Sequence, residues 1–220
     1  ATSENKSTVS SKIETNPRIA LCVAVMFLTR FPIGSSIAPT TQLSATVWTF
    51  PLIGAMVGLL GGLMFLVCNW IGLPVWLSAA AAIVATYLAT GGLHEDGLAD
   101  IADGFGGGAD RERKLAIMRD SRIGSYGVAA MAFSILIRVG AVASFVETEF
   151  VVAALVAAGA VSRSAIGPVM ASLPTARADG LSASAGRPSQ RQAWTGVATA
   201  FVIGMFVIGF AEILLAMCTV

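Results

Sequence analysis

Charge is scarce in this 220-residue chain: Asp, Glu, Lys and Arg make up 12% of it, where an ordinary soluble domain carries about 25%. Hydrophobic residues fill 55% of the sequence and the mean hydropathy is +0.78, so a water-soluble globule is excluded. Fourteen basic residues against 13 acidic ones leave a net charge of +1, which gives no global field to gather nucleic acid. Cysteine and histidine are equally sparse. Cys22, Cys68 and Cys218 lie far apart in apolar runs with no C-x-x-C spacing, and His94 is the single histidine. An ordinary zinc set is therefore disfavoured, and nothing in the spacing suggests dithiol redox chemistry.

What the chain does have is apolar length. Residues 1–17 are a polar tail rich in Ser, Thr, Asn and Lys, expected to be disordered because little in them can be buried. Ala20 to Thr29 is an apolar run of about ten residues, too short to span about 30 Å of hydrocarbon, and is expected to be an interfacial half-helix. A cleaved signal peptide is the competing reading, but Thr29-Arg30-Phe31-Pro32 is not a small-residue cleavage site. Five longer runs follow, at 45–68, 75–93, 127–146, 150–172 and 195–218, each long enough to cross as a helix. Gly54, Gly58, Gly61 and Gly62 recur on neighbouring turns and suit close helix packing. The expected fold is all-α, a polytopic helical bundle of about five transmembrane helices, with residues 18–220 forming one membrane-embedded domain.

Basic residues set the orientation, because Lys and Arg are retained on the cytoplasmic side. The 94–126 loop carries Arg111, Arg113, Lys114, Arg119 and Arg122, and the 173–194 loop carries Arg177, Arg187 and Arg191. Both loops are expected to be cytoplasmic. Arg138 and Arg163 lie well inside apolar runs, where unpaired charge is costly, and are expected to face a polar site. For Arg30, at the end of its run, snorkelling to the interface is an equally good account.

Chemistry concentrates between Gly91 and Gly127. On a helix, Asp96, Asp100 and Asp103 stand at i, i+4 and i+7 and share an arc of about 60°. His94, Leu98, Ile101 and Phe105 align opposite them, as a face expected to pack on neighbouring helices. Three like charges on adjacent turns repel one another, and with no basic residue between Asp96 and Asp103 a bound cation is expected to hold them together. Oxygen-only ligands favour Mg²⁺. Glu95 and His94 are further candidates for proton transfer. Gly104, Gly106, Gly107 and Gly108 end the helix, and Asp110 to Arg119 reads as a short amphipathic helix. Arg119, Asp120, Ser121 and Arg122 then mark a turn back into the bilayer with Gly124 and Gly127 behind it, and guanidinium forks there suit a diphosphate. Together these parts fit displacement of a nucleoside monophosphate by an alcohol.

The stretches Gly91-Gly-Leu-His-Glu-Asp-Gly-Leu-Ala-Asp-Ile-Ala-Asp-Gly104 and Arg111-Glu-Arg-Lys-Leu-Ala-Ile-Met-Arg-Asp-Ser-Arg-Ile-Gly124 resemble the adenosylcobinamide-GDP ribazoletransferase (cobalamin synthase) family. Phe27-Leu-Thr-Arg-Phe-Pro-Ile33, Phe50-Pro-Leu-Ile-Gly54, Ser162-Arg163 and Ala176-Arg-Ala-Asp-Gly-Leu181 support the resemblance in the family's order. It implies a Mg²⁺-dependent enzyme of a bacterial inner membrane. Such an enzyme joins adenosylcobinamide-GDP to α-ribazole or its 5′-phosphate and releases GMP, in the final step of cobalamin nucleotide-loop assembly. Carried onto this chain, Asp96, Asp100 and Asp103 become metal ligands and the turn of Arg119, Asp120, Ser121 and Arg122 a substrate-phosphate contact; from their position beside these, Asp96, His94 and Glu95 are expected as catalytic groups and Gly124 as a further substrate contact. The implied partners are those small molecules and the lipid bilayer, with no nucleic acid, and a homo-oligomer is allowed. The family's Gly-Gly-x-Thr-Gly-Asp motif does not occur within the 220 residues, so the domain is expected to lack the family's C-terminal segment. Two alternatives are a CDP-alcohol phosphotransferase, whose pattern fails because Asp100 stands where that family has arginine, and a cation transporter or channel using the acidic stripe, which leaves the arginine turn unexplained.

Overall fold

The computed structural model describes residues 16–33, 42–145, 148 and 150–218, together with the backbone alone at several positions near the end of the last helix. The polar tail expected at 1–17 lies outside the described residues except for its last two. Among the described residues the architecture is helical throughout. Helix α1 (Pro17–Leu28) has Pro at its first position and Asn16 as its cap, the Asn16 side chain accepting from the Arg18 N–H at 3.0 Å. At 12 residues it is shorter than a crossing, and it buries Ala20, Ala24, Val25 and Leu28 against a 3-10 helix at Leu43–Thr49 and the start of α2 (Phe50–Trp70). Phe27 stacks on Phe50 with ring centroids 6.2 Å apart.

The remaining helices are α3 (Val75–Thr90), α4 (Leu93–Gly107), α5 (Arg111–Ile117), α6 (Ser125–Ala143), α7 (Phe150–Ser164), α8 (Ile166–Ser172), α9 (Leu181–Ala185) and α10 (Gln190–Cys218). Four stretches are long and apolar enough to cross a membrane: Leu43–Trp70, Ser125–Ala143, Phe150–Ser172 and Gln190–Gly209. Counted together as one broken span, the bent pair α3 and α4 would make a fifth. Helix α2 is the hub. Gly54, Gly58 and Gly62 bring its backbone against Gly159, Leu155 and Val152 of α7, while Gly61 faces Ala82 and Thr86 of α3. The expected small-residue seam is therefore real, and it serves two partners; a β-carbon at Gly54, Gly58 or Gly62 would meet the α7 backbone and force those helices apart, and one at Gly61 would press on the Thr86 methyl.

Outward-facing side chains are apolar, as hydrocarbon surroundings require: Phe133, Leu136 and Ile137 on α6 and Phe201, Val202 and Phe206 on α10 are all exposed. Exposed Trp70 and Trp76 mark one end of the bundle, and exposed Tyr126 and Trp194 the end that carries the long loops, the placement favoured for interfacial aromatics.

One departure from the expected spans places the site. The 75–93 run is not one straight helix, because Gly91 and Gly92 both adopt left-handed backbone (φ +66° and +72°) and α4 leaves α3 at 90°. Gly91 as the α3 C-cap satisfies the end of that helix, a conformation glycine adopts without steric cost. The consequence is that the acidic stripe turns across the end of α3 and does not continue its axis.

Candidate active site

Helix α4 is a 15-residue helix with Glu95 and Asp96 in its first turn, where negative charge complements the helix dipole. It buries Glu95, Ala99, Asp103 and Gly104. Of the three aspartates, Asp96 is exposed, Asp100 half-buried and Asp103 buried. The face expected to pack against neighbouring helices does not do so: Leu98, Ile101 and Phe105 are all exposed. Periodicity identified an apolar face correctly, but in a membrane protein such a face is as stable against lipid as against protein.

Asp103 has a role its spacing did not reveal. Its two carboxylate oxygens accept from the backbone N–H of Gly124 at 2.7 Å and of Gly127 at 2.8 Å, across the start of α6. The carboxylate thus caps a helix 21 residues away in sequence, satisfying amides that have no partner within that helix. A β-carbon at either glycine would collide with the carboxylate. Gly-x-x-Gly is therefore the shape of a cradle for Asp103, and Gly124, expected as a substrate contact, is engaged by the protein itself.

That cap fixes the arginine turn between α5 and α6. Helix α5 begins at Asp110, whose side chain accepts from the Arg113 N–H at 2.7 Å. It is docked onto the 173–180 loop by Arg111 donating to the Ala176 carbonyl (2.6 Å) and Arg177 donating to the Leu115 carbonyl (3.2 Å). Arg119 pairs with Asp179, and this contact holds the Asp179 carboxyl below its usual range. Arg122 forks onto Asp120, with Nη2 to Oδ2 at 2.6 Å and Nε to the two oxygens at 3.1 and 3.2 Å. Those side-chain bonds and the Arg122 N–H lower Asp120 to about 2.

These elements enclose one cavity of about 690 Å³. Asp96, Asp100 and Asp103 line one side, and Arg119, Asp120, Ser121 and Arg122 line another. Arg30 enters from α1's end, its backbone N–H bonded to the Ala89 carbonyl at 2.8 Å and its side chain lying over Gly91. Among the described residues Asp96 and Asp100 receive no side-chain hydrogen bond or ion pair, and Arg30 has no carboxylate partner. Arg30 thus lines the same cavity as the acids. The only advance signal was its place in Phe27-Leu-Thr-Arg-Phe-Pro. Asp179, likewise inside a motif without an assigned role, is revealed only by the contact between the two loops.

His94 and Glu95 do not join this cavity. Both line a second one with Arg138 and Arg163, and Glu95 pairs with Arg138 at 2.8 Å. The physical reason is rotation: at 100° per residue, positions 94 and 95 turn about 160° and 100° away from Asp96. The expected grouping of Asp96, His94 and Glu95 is thus divided by α4 itself, while Arg138 and Arg163 face a polar site as expected.

The donor set fits a hard cation, in reduced form. Among the described residues no three His, Cys, Asp or Glu side chains come together as a metal-holding group, and Asp103 is occupied as a cap. Asp96 and Asp100 are unpartnered carboxylates on adjacent turns of one cavity wall, and two carboxylates with waters and phosphate oxygens are the usual environment of Mg²⁺.

Helices long and apolar enough to cross a membrane, with carboxylates and arginines lining one cavity at the loop-bearing end, define a helical membrane protein with a charged candidate site. The particular family is equally plain: a model described as cobalamin-5-phosphate synthase matches residues 20–220, and the chain belongs to that family. It is 49% identical to the adenosylcobinamide-GDP ribazoletransferase of Mesorhizobium japonicum, over 81% of this chain and 68% of that one. It is 46% identical to that of Bradyrhizobium diazoefficiens, over 87% and 72%. The protein of the same name from Xanthobacter autotrophicus is 40% identical over 86% and 73%. No solved structure matches the chain.

Proposed function

We propose that this chain joins adenosylcobinamide-GDP to α-ribazole or its 5′-phosphate, releasing GMP, with Mg²⁺, at the cytoplasmic face of a bacterial inner membrane. The observation that carries the reading is the shared cavity, in which Asp96 and Asp100 face Arg30, Arg119 and Arg122. The family and the names of its relatives supply the substrates. The arginine-rich loops at one end of the bundle supply the orientation.

The reaction forms a bond between the acceptor's hydroxyl oxygen and the phosphorus that carries the cobinamide, and breaks the bond from that phosphorus to GMP. Arg119 and Arg122 bind the diphosphate by exchanging carboxylate partners for phosphate oxygens; both are paired with exposed aspartates, whose hold is weak in water. Arg30, which lines the same cavity, adds a third cation. Asp96 and Asp100 would hold Mg²⁺, which when bound supplies positive charge against the diphosphate and the leaving GMP. A carboxylate of this face that the metal does not engage takes the proton of the attacking hydroxyl. Asp103 acts on position: by capping α6 it fixes where the 119–122 turn stands relative to the acids. Preorganised charge of this kind is the main catalytic resource in phosphoryl transfer.

The test is GMP release by the purified protein in lipid nanodiscs, supplied with adenosylcobinamide-GDP and α-ribazole 5′-phosphate, with and without Mg²⁺. The expected result is Mg²⁺-dependent GMP in equal amount to a new corrinoid product. Absence of GMP overturns the proposal.

A further inference from the structure

The second cavity has no part in the scheme above, and its chemistry is incomplete without a ligand. It measures about 380 Å³ and lies behind the acidic face. Val57 of α2, Ile83 of α3 and Leu155 of α7 make an apolar wall. At the other end stand His94, Glu95, Arg138 and Arg163. Glu95 is only 7% exposed, and while its Oε1 accepts from Arg138 at 2.8 Å, its Oε2 is buried without a hydrogen-bond partner, as is Nε2 of His94. Arg163 donates to Ser162 Oγ at 2.9 Å, and among the described residues it has no carboxylate partner.

The charges show what is missing. Glu95 and Arg138 cancel, so Arg163 leaves the cavity with one uncompensated positive charge among membrane-crossing helices, where such charge is costly and usually marks a site. An orphaned buried carboxylate oxygen carries its own desolvation cost. An anion on Arg163 and a hydroxyl donor on Glu95 Oε2 would relieve both. We propose that this cavity binds a hydroxylated phosphate ester. Its phosphate sits on the Arg163 fork, which matches phosphate geometry, a hydroxyl donates to Glu95 Oε2 and contacts His94 Nε2, and its apolar body lies on the Val57, Ile83 and Leu155 wall.

Two molecules share that chemistry: the phosphorylated acceptor of the proposed reaction and the headgroup of phosphatidylglycerol. Thr90 lines both cavities, so a ligand here would lie beside the diphosphate cavity across the end of α3. We favour the acceptor on that ground. This choice of source rests on the function proposed above, but the existence of the site does not.

The experiment measures equilibrium binding of α-ribazole 5′-phosphate and of α-ribazole to the protein in phosphatidylcholine nanodiscs, and phosphatidylglycerol retention by native mass spectrometry. The 5′-phosphate is expected to bind more tightly than α-ribazole, and Arg163→Gln to weaken it at least about 30-fold while leaving α-ribazole within about threefold. Arg163→Lys, which keeps the charge and loses the fork, should fall between. Ala158→Trp keeps every charged group and fills the cavity from its exposed edge; it should block binding even if the arginine variants fail to fold. Retained phosphatidylglycerol that is lost in these variants, with no acceptor binding, supports the site with lipid as its source. No binding of either molecule, or binding indifferent to Arg163→Gln and Ala158→Trp, overturns the proposal. GMP release assayed on the same sample keeps the two proposals separate: binding without GMP removes the reaction and leaves the site, and GMP without binding does the reverse.

Discussion

The two sides of α4 carry acids of the same type to opposite ends. Among the described residues Asp96 and Asp100 line a cavity with no side-chain partner, while about 100° around the helix Glu95 is buried against Arg138 at 2.8 Å. Asp103, at the boundary, is held by two backbone N–H groups. A carboxylate left unpaired in a cavity is available to a cation, a substrate or a proton. One matched to a guanidinium or to helix amides fixes the position of the element that carries it. The helix thus presents unpartnered carboxylates on one side and its own anchorage on the other, and the difference is set by partners, not by residue type.

The largest expected effect tests the reactive side. Asp96→Asn and Asp100→Asn should each lower GMP release by about 1,000-fold or more, a barrier change of roughly 4 kcal/mol, with thermal stability in detergent unchanged. Normal turnover in both variants would mean that the unpartnered acids are only a solvated face.

Asp103→Ala breaks the boundary. Two hydrogen bonds to an ionised acceptor are lost and two amides at the start of α6 are orphaned, so about 3 kcal/mol of stability should go. GMP release should fall about 100-fold as the arginine turn loses its register. Asp103→Asn keeps one acceptor and should be milder in both measures; if it matched Asp100→Asn in rate with unchanged stability, Asp103 would belong with the reactive acids.

Glu95→Gln probes the anchored side and should cost less. Removing one member of a buried ion pair is destabilising, but Arg138 is 36% exposed at its side chain, so water recovers part of the loss and about 2 kcal/mol is expected. The kcat for GMP release should stay within about tenfold of normal. A collapse of kcat without loss of stability would erase the distinction between the two sides.

The smallest effect concerns the arginine turn. Asp120 titrates at about 2 because Arg122 hydrogen-bonds it. A depressed carboxylate contributes above its unfolded pKa and loses that contribution as pH falls through the folded value. The Arg122 pair should therefore be intact from neutral pH down to about 4 and open only near pH 2. A carboxylate infrared titration comparing the protein with Asp120→Asn checks this, and a transition centred near 4 would show that the fork does not form.

Much of this was written in local sequence. Run length and the near absence of charge specify the crossings, glycine recurrence specifies the α2 seam, and i, i+4, i+7 spacing places three aspartates on one arc whatever surrounds them. The arginine turn was equally visible as a cluster. What stayed hidden lies between elements. The Gly91-Gly92 pair announces a helix end, but the 90° angle that swings α4 across α3 depends on what α4 meets there. Nothing near Asp103 announces that its ligands are amides of α6, and nothing near Glu95 names Arg138, 43 residues away.

Composition, periodicity and motif order by themselves determined a helical membrane transferase of one family, with acids and arginines as its candidate site. Only the tertiary structure decided which acids are free and which are held, that Arg30 joins the acidic cavity, and that His94 and Glu95 belong to another. Helical spacing fixes a side chain's direction about its own axis, but a charge acquires its role from the groups it meets, and here those arrive from helices and loops remote in sequence.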